Sequence, residues 1–130
     1  MNPEDLKYTK DHEWVRSLDG RRVAIGITDF AQKQLGDVVY VELPSVDDRR
    51  EASEPFGSVE SVKAVTEVYM PLTGTIAAVN TDLDDSPENV NTDPYGDGWM
   101  IEVTLAEGEN MTNLLTAHEY DEYIKAESAD

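Results

Sequence analysis

With 130 residues, 28 Asp plus Glu against 10 Lys plus Arg, a formal net charge of -18 and no cysteine, the chain is bounded before any motif is read. That length suits one domain with a real core, expected to run 1-130 with its packed part over about 6-125, and no cysteine means no disulfide, thiolate metal site or cysteine nucleophile. So acidic a chain lacks the basic stripe that a nucleic-acid backbone or an anionic membrane surface requires, and its basic pairs, Arg21-Arg22 and Arg49-Arg50, fall in predicted loops.

The charge itself reads first as a solvated, self-repelling surface that favours solubility. A sharper reading is a host with a salt-rich interior, where screening over a few ångströms makes such a surface tolerable. No apolar run approaches a membrane span, and Met1-Asn2-Pro3-Glu4-Asp5 lacks the basic-then-apolar order of a secretory signal, so a cytoplasmic protein is expected.

In chain order, a first strand is predicted within Tyr8 to Leu18, and Asp19-Gly20 turns it back into a second over Arg22 to Ile27. There Val23, Ile25 and Ile27 alternate with Ala24 and Gly26, the period of a sheet with one buried face. Thr28 or Asp29 caps a short helix through Gln34, with Phe30, Ala31 and Leu35 inward and Gly36 just past its end. Asp37 to Leu43 is a near-continuous apolar strand stopped by Pro44, which predicts burial on both faces or a place between two sheets.

A polar loop, Ser45 to Glu54, leads to Gly57 through Pro71, two β-runs built on Val59, Val62, Val65, Val68 and Tyr69. No Gly, Asn or Asp marks a tight turn between them, so the chain reverses around Val62-Lys63-Ala64 and presents the Lys63 amine at an exposed tip. Another strand, Gly74 to Asn80, follows. Thr81 to Gly98 reads as an ordered surface loop with a turn of helix near Pro87 to Val90; its five aspartates fail the calcium-loop pattern, because Pro87 stands where that loop needs glycine. Trp99 to Leu105 is a last strand, and Thr116 with Glu119 forms a capping box for a C-terminal helix carrying Ala117, Tyr120, Tyr123 and Ile124. Short strands at close spacing predict a sandwich or barrel rather than βαβ units.

No catalytic constellation is present: no nucleophile elbow, P-loop or dinucleotide fingerprint, and His12 and His118 lack metal-ligand spacing. What remains is Lys63. The motif Gly57-x-Val59-Glu60-Ser61-Val62-Lys63-Ala64, with Gly74 eleven residues after the lysine, resembles the attachment site of lipoyl-bearing carrier domains. The blocks His12-Glu13-Trp14-Val15, Ile25 to Gln32, Leu35 to Pro44, and Asn91 with Pro94 to Trp99 narrow the resemblance to the glycine cleavage system H-protein family, over roughly residues 6 to 125.

The resemblance implies a mainly β barrel-sandwich hybrid of two small sheets with short helices and a C-terminal helix, and a carrier with no turnover of its own. It implies lipoate joined as an amide to Lys63, with Glu60, Val62 and Ala64 recognised at the hairpin by the lipoate-attaching enzymes. Its implied partners are the PLP-dependent glycine decarboxylase (P protein), the tetrahydrofolate-dependent aminomethyltransferase (T protein) and dihydrolipoamide dehydrogenase (L protein). Glu13 and Glu67 resemble the family positions lining the cleft where the loaded arm rests, while Asp11 stands where relatives commonly carry a small hydroxyl residue. A biotin domain usually flanks its lysine with methionines, and a 2-oxo acid dehydrogenase lipoyl domain usually sets Asp before it; neither pattern is present. The remaining alternative is an H-like lipoyl-relay or an unmodified scaffold protein, since the same lysine serves all these uses.

Overall fold

The computed structural model describes residues 2-128. Asp19-Gly20 turns the chain as its sequence predicts: Gly20 takes φ +63°, and Glu13–Ser17 (β2) pairs with Arg22–Ile27 (β3) from Glu13↔Ile27 to Ser17↔Val23. The strand expected within Tyr8 to Leu18 is β2, and Lys7–Tyr8 (β1) folds back onto it through a turn in which His12 takes φ +69°. Thr28 caps Asp29–Leu35 (α1), its Oγ1 accepting from the Ala31 N–H at 3.2 Å. Then come Val38–Glu42 (β4), Arg49–Arg50 (β5), Pro55–Ser61 (β6), Val65–Tyr69 (β7) and Gly74–Val79 (β8). Single helical turns, Asp82–Asp85 (α2) and Asn89–Thr92 (α3), precede Ile101–Leu105 (β9) and the C-terminal helix Ala117–Ser128 (α4).

All pairings are antiparallel and give two sheets, β1-β2-β3-β9-β8-β5 and β4-β6-β7. The barrel-sandwich expected from the resemblance is thus observed, with the sheets unequal at six strands and three. Between them Ile25, Ile76 and Val103 of the large sheet meet Val41, Val59 and Val68 of the small one, all fully buried. Each such side chain contributes about 1.5–3 kcal/mol of burial.

Two strands depart from their sequence patterns. β3 is buried on both faces, because a second cluster of Leu6, Tyr8, Trp14, Ala117 and Tyr120 covers the side where one would expect solvent. Gly26 is part of that fit: a Cβ there would stand 2.7 Å from the Trp14 ring. β4 is not buried on both faces but lies at the edge of the small sheet, where a bulge between Val38 and Tyr40 turns Val39 and Tyr40 outward. Arg49-Arg50 form a short strand rather than loop, and their guanidinium groups sit 3.0 Å from Glu51 and 3.5 Å from Asp48.

The capping box on α4 forms as its sequence predicts: Glu119 N–H donates to Thr116 Oγ1 at 3.1 Å, and Thr116 N–H to Glu119 Oε1 at 2.9 Å. The helix is then tied down by Tyr120, whose ring stacks on Tyr8 at 4.7 Å. The Tyr120 hydroxyl lies 2.7 Å from Thr28 Oγ1 and 2.8 Å from His12 Nδ1, so α4, α1 and the β1–β2 turn share one polar chain. Among the described residues no helix is long and apolar enough to cross a membrane.

Candidate carrier site

Ser61 makes the reversal at Val62-Lys63-Ala64. Its backbone N–H donates to the Ala64 carbonyl at 2.8 Å, while its Oγ accepts from the Ala64 and Lys63 N–H groups at 3.1 and 3.3 Å. Val62 N–H donates to the Asp37 carbonyl at 3.1 Å, which pins the tip to the segment between α1 and β4. Lys63 is exposed, and its stem crosses Gly36, where a Cβ would stand 3.4 Å from Lys63 Cε. Gly36 also holds φ +82°, which only glycine adopts without strain. Among the described residues the Lys63 amine has no carboxylate within salt-bridge distance.

The seat beneath the lysine is fixed from afar by Asn91. Its amide donates to Gln32 Oε1 and to the Gly36 carbonyl, each at 2.9 Å, and its Oδ1 accepts from the Val38 N–H at 2.8 Å. Beside the tip opens a cavity of about 280 Å³ between α1 and β7, walled by Ile27, Ala31, Leu35 and Val68, with Ala64 and Glu67 at its edge. His12 and Glu127 complete its rim, the His12 Nε2 lying 3.4 Å from Glu127 Oε1.

The residues singled out by sequence divide into two groups. Glu60, Val62, Lys63, Ala64 and Glu67 are all exposed on or beside the hairpin, and Ala64 and Glu67 meet at the cavity. Glu13 is only 2% exposed and is not among the residues lining that cavity. Its Oε1 accepts from Thr9 Oγ1 at 2.8 Å and its Oε2 from the Tyr69 N–H at 3.0 Å. Tyr69 ends β7, an edge strand of the small sheet, and Glu13, from the large sheet, satisfies its amide. Burial pushes the Glu13 carboxyl from its ordinary 4.5 up to about 7, against those two hydrogen bonds, which pull it down.

The family blocks read separately in the sequence converge in space. Trp14 Nε1 donates to the Pro94 carbonyl at 2.9 Å, Arg16 to the Tyr95 carbonyl at 2.7 Å, and the Asp29 N–H to the Tyr95 hydroxyl at 3.0 Å. The family model described as "Glycine cleavage H-protein" matches residues 6–127. The chain belongs to the glycine cleavage H-protein family. It is 56% identical over 123 residues to the glycine cleavage system H protein of Bacillus pumilus, covering 95% of this chain and 96% of that one. To that of Halalkalibacterium halodurans it is 54% identical over 125 residues, covering 96% and 97%. The crystal structure of a glycine cleavage system H protein from Mycobacterium marinum superposes with a TM-score of 0.80 at 39% identity, covering 96% of this chain and 98% of that one. Membership of this family makes the chain a lipoyl-type carrier subunit of glycine cleavage and not an enzyme.

Sequence reasoning did not single out Ser61, Gly36 or Asn91 as builders of the site. Ser61 carried a signal, since a serine at a reversal lacking Gly, Asn and Asp is a side-chain turn former. Asn91 was read only within a family block and carried no sign of this role, because its partners lie 53 to 59 positions away.

Proposed function

We propose that this family member carries lipoate as an amide on Lys63. In this reading it moves the aminomethyl unit of glycine from the PLP-dependent glycine decarboxylase to the tetrahydrofolate-dependent aminomethyltransferase. Dihydrolipoamide dehydrogenase then restores the carrier, in the cytoplasm. The observation that carries the reading is Lys63 itself, an exposed amine at a pinned hairpin tip with no carboxylate partner among the described residues.

Attachment joins the neutral Lys63 Nζ to the carbonyl carbon of an activated lipoyl group; the activating group leaves with the bonding electrons and the amine proton goes to base. No ion pair is broken, and the amide ends a long flexible stem, which favours a swinging arm with a high local concentration at each partner. Exposed Glu60, Val62 and Ala64 are what an attaching enzyme can read at the tip. Bound there, lipoate would supply a dithiolane, a disulfide able to hold the aminomethyl unit on one of its sulfurs.

Glu67 gives the neighbouring cavity a carboxylate for an amine cargo, and apolar Ile27, Ala31, Leu35 and Val68 exclude water from it. Glu13 acts one layer deeper, holding the β7 strand that carries Glu67. The test is intact mass of the protein produced with lipoate-attaching enzymes: one lipoyl group on the wild type and none on Lys63→Arg. A wild type that stays wholly unmodified overturns the reading and leaves the scaffold alternative.

A further inference from the structure

The small sheet has an outer face of which the carrier reading uses the hairpin side but not β4. Six large hydrophobic side chains are exposed among the described residues, and four of them, Val39, Tyr40, Val62 and Val65, lie on this sheet and its tip. Tyr40, Glu60 and Val65 form one cross-strand row, so β4 and the hairpin present a single continuous strip beside Lys63. The next row on the same face is Glu42, Ser58 and Glu67. β4, β6 and β7 contain no Lys or Arg, and none of Glu42, Glu60 and Glu67 is ion-paired among the described residues. Apolar side chains set on either side of Glu60 and next to Glu42 and Glu67, beside one amine, are half of a complementary interface.

We propose, resting on the reading of Lys63 as an acylated carrier lysine, that the Val39–Tyr40–Val65 strip with Glu60 and Glu42 is the docking surface for the enzyme that acylates Lys63. That enzyme offers an apolar mouth with a basic rim. The short reach of the unmodified lysine decides among occupants. Before attachment the four-carbon stem must carry Nζ into the enzyme's active site, so the enzyme must close on the tip and its flanks; after attachment the lengthened arm lets later partners stand farther off. A second copy of this chain is disfavoured, because it would bring the same unpaired carboxylates face to face in a molecule of charge -18. Tyr40 is the anchor, being the one large amphipathic ring in the strip, with 53% of its surface exposed.

The experiment measures lipoylation of the full chain by intact mass, using a lipoate ligase with ATP and lipoate, on wild type, Tyr40→Ser, Val65→Ser and Val46→Ser. Val46 is also exposed, at 47%, but lies in the loop before β5. Thermal melts check that the folds are equal. Tyr40→Ser and Val65→Ser are expected each to raise KM about tenfold with kcat little changed, and Val46→Ser to leave both alone. The wild-type KM should rise with salt, and Tyr40→Lys should be worse than Tyr40→Ser. Wild-type KM in the Tyr40 and Val65 variants overturns the docking surface while leaving the acylated lysine intact. A wild type that is never acylated overturns both. A concentration-dependent dimer in sedimentation, abolished by Tyr40→Ser, assigns the strip to self-association and also overturns the proposal.

Discussion

The two ends of the molecule are built on opposite terms. At the end formed by β2, β3 and α4, the aromatic rings of Tyr8, Trp14 and Tyr120 are fully buried, and each polar tip has a partner: Pro3, Pro94, Thr28 and His12. At the hairpin end Val62 is 72% exposed, Val65 66%, and the Lys63 amine has no ion pair among the described residues. Stability is stored where nothing has to be handed over, which leaves the tip free to be reshaped by an attached group and by visiting enzymes. A carrier needs both: a fixed origin for its arm and an origin that is not committed to its own chain.

Unequal substitutions break that contrast most directly. Trp14→Ala removes the ring that covers Gly26 and the donor to Pro94, and should cost about 3–5 kcal/mol in urea unfolding. Val62→Ala, at the tip, should change stability by no more than about 0.5 kcal/mol. Equal losses at the two positions would mean that the hairpin is part of the folding core and that the contrast is wrong.

How much of this was legible in the sequence follows the same division. The hairpin, the α1 cap at Thr28, the capping box at Thr116 and Glu119, and the lysine tip all rest on local chemistry, and all were readable. What failed was anything decided by a distant element. Ala24 and Gly26 looked like the solvent face of a strand, and only the arrival of Trp14 and α4 buries them. Val39 and Tyr40 looked like core, and only the edge position of β4 and its bulge expose them. Glu13 read as a solvated carboxylate or a cleft residue; neither pattern could reveal that the Tyr69 amide, on the edge strand of the small sheet, would need its oxygen.

Glu13 gives the second test, because it joins the two sheets. Below about pH 4.5 its carboxyl is protonated in folded and unfolded chains alike. As the pH climbs to about 7 the unfolded chain sheds a proton that the folded one keeps, so stability falls across that window and then levels off, by up to about 3 kcal/mol. Glu13→Gln mimics the protonated form, its carbonyl accepting from Tyr69 and its amide donating to Thr9, and should flatten the difference between melts at pH 5 and pH 7.5. Glu13→Ala should cost about 1–3 kcal/mol at pH 5 by stranding the Tyr69 amide, and less at pH 7.5, where the wild type has lost the stability that its raised carboxyl supplies. It should also speed ammonia loss from the cargo-bearing carrier, since the strand bearing Glu67 is then loosely held. Parallel pH profiles for wild type and Glu13→Gln would show that the carboxylate is solvated after all.

The smallest effect expected concerns the seat of the lysine, and it separates placement from stability. Asn91 ties Gly36 and the start of β4 to α1 beneath Lys63, through three bonds that replace what a regular helix end or strand would supply. Asn91→Ala leaves the Val38 N–H and the Gly36 carbonyl without these partners at a site water can partly reach, so the stability cost should be about 1 kcal/mol. If the seat positions the arm, the loss in lipoylation kcat/KM will exceed the fraction unfolded and will persist at temperatures well below the melt, where nearly all of the variant is native. Asn91→Asp sharpens the point: it keeps the acceptor for Val38 but cannot donate to Gln32 or Gly36, so a defect like that of alanine assigns the effect to those two donated bonds, and a wild-type rate assigns it to the Val38 N–H at the start of β4.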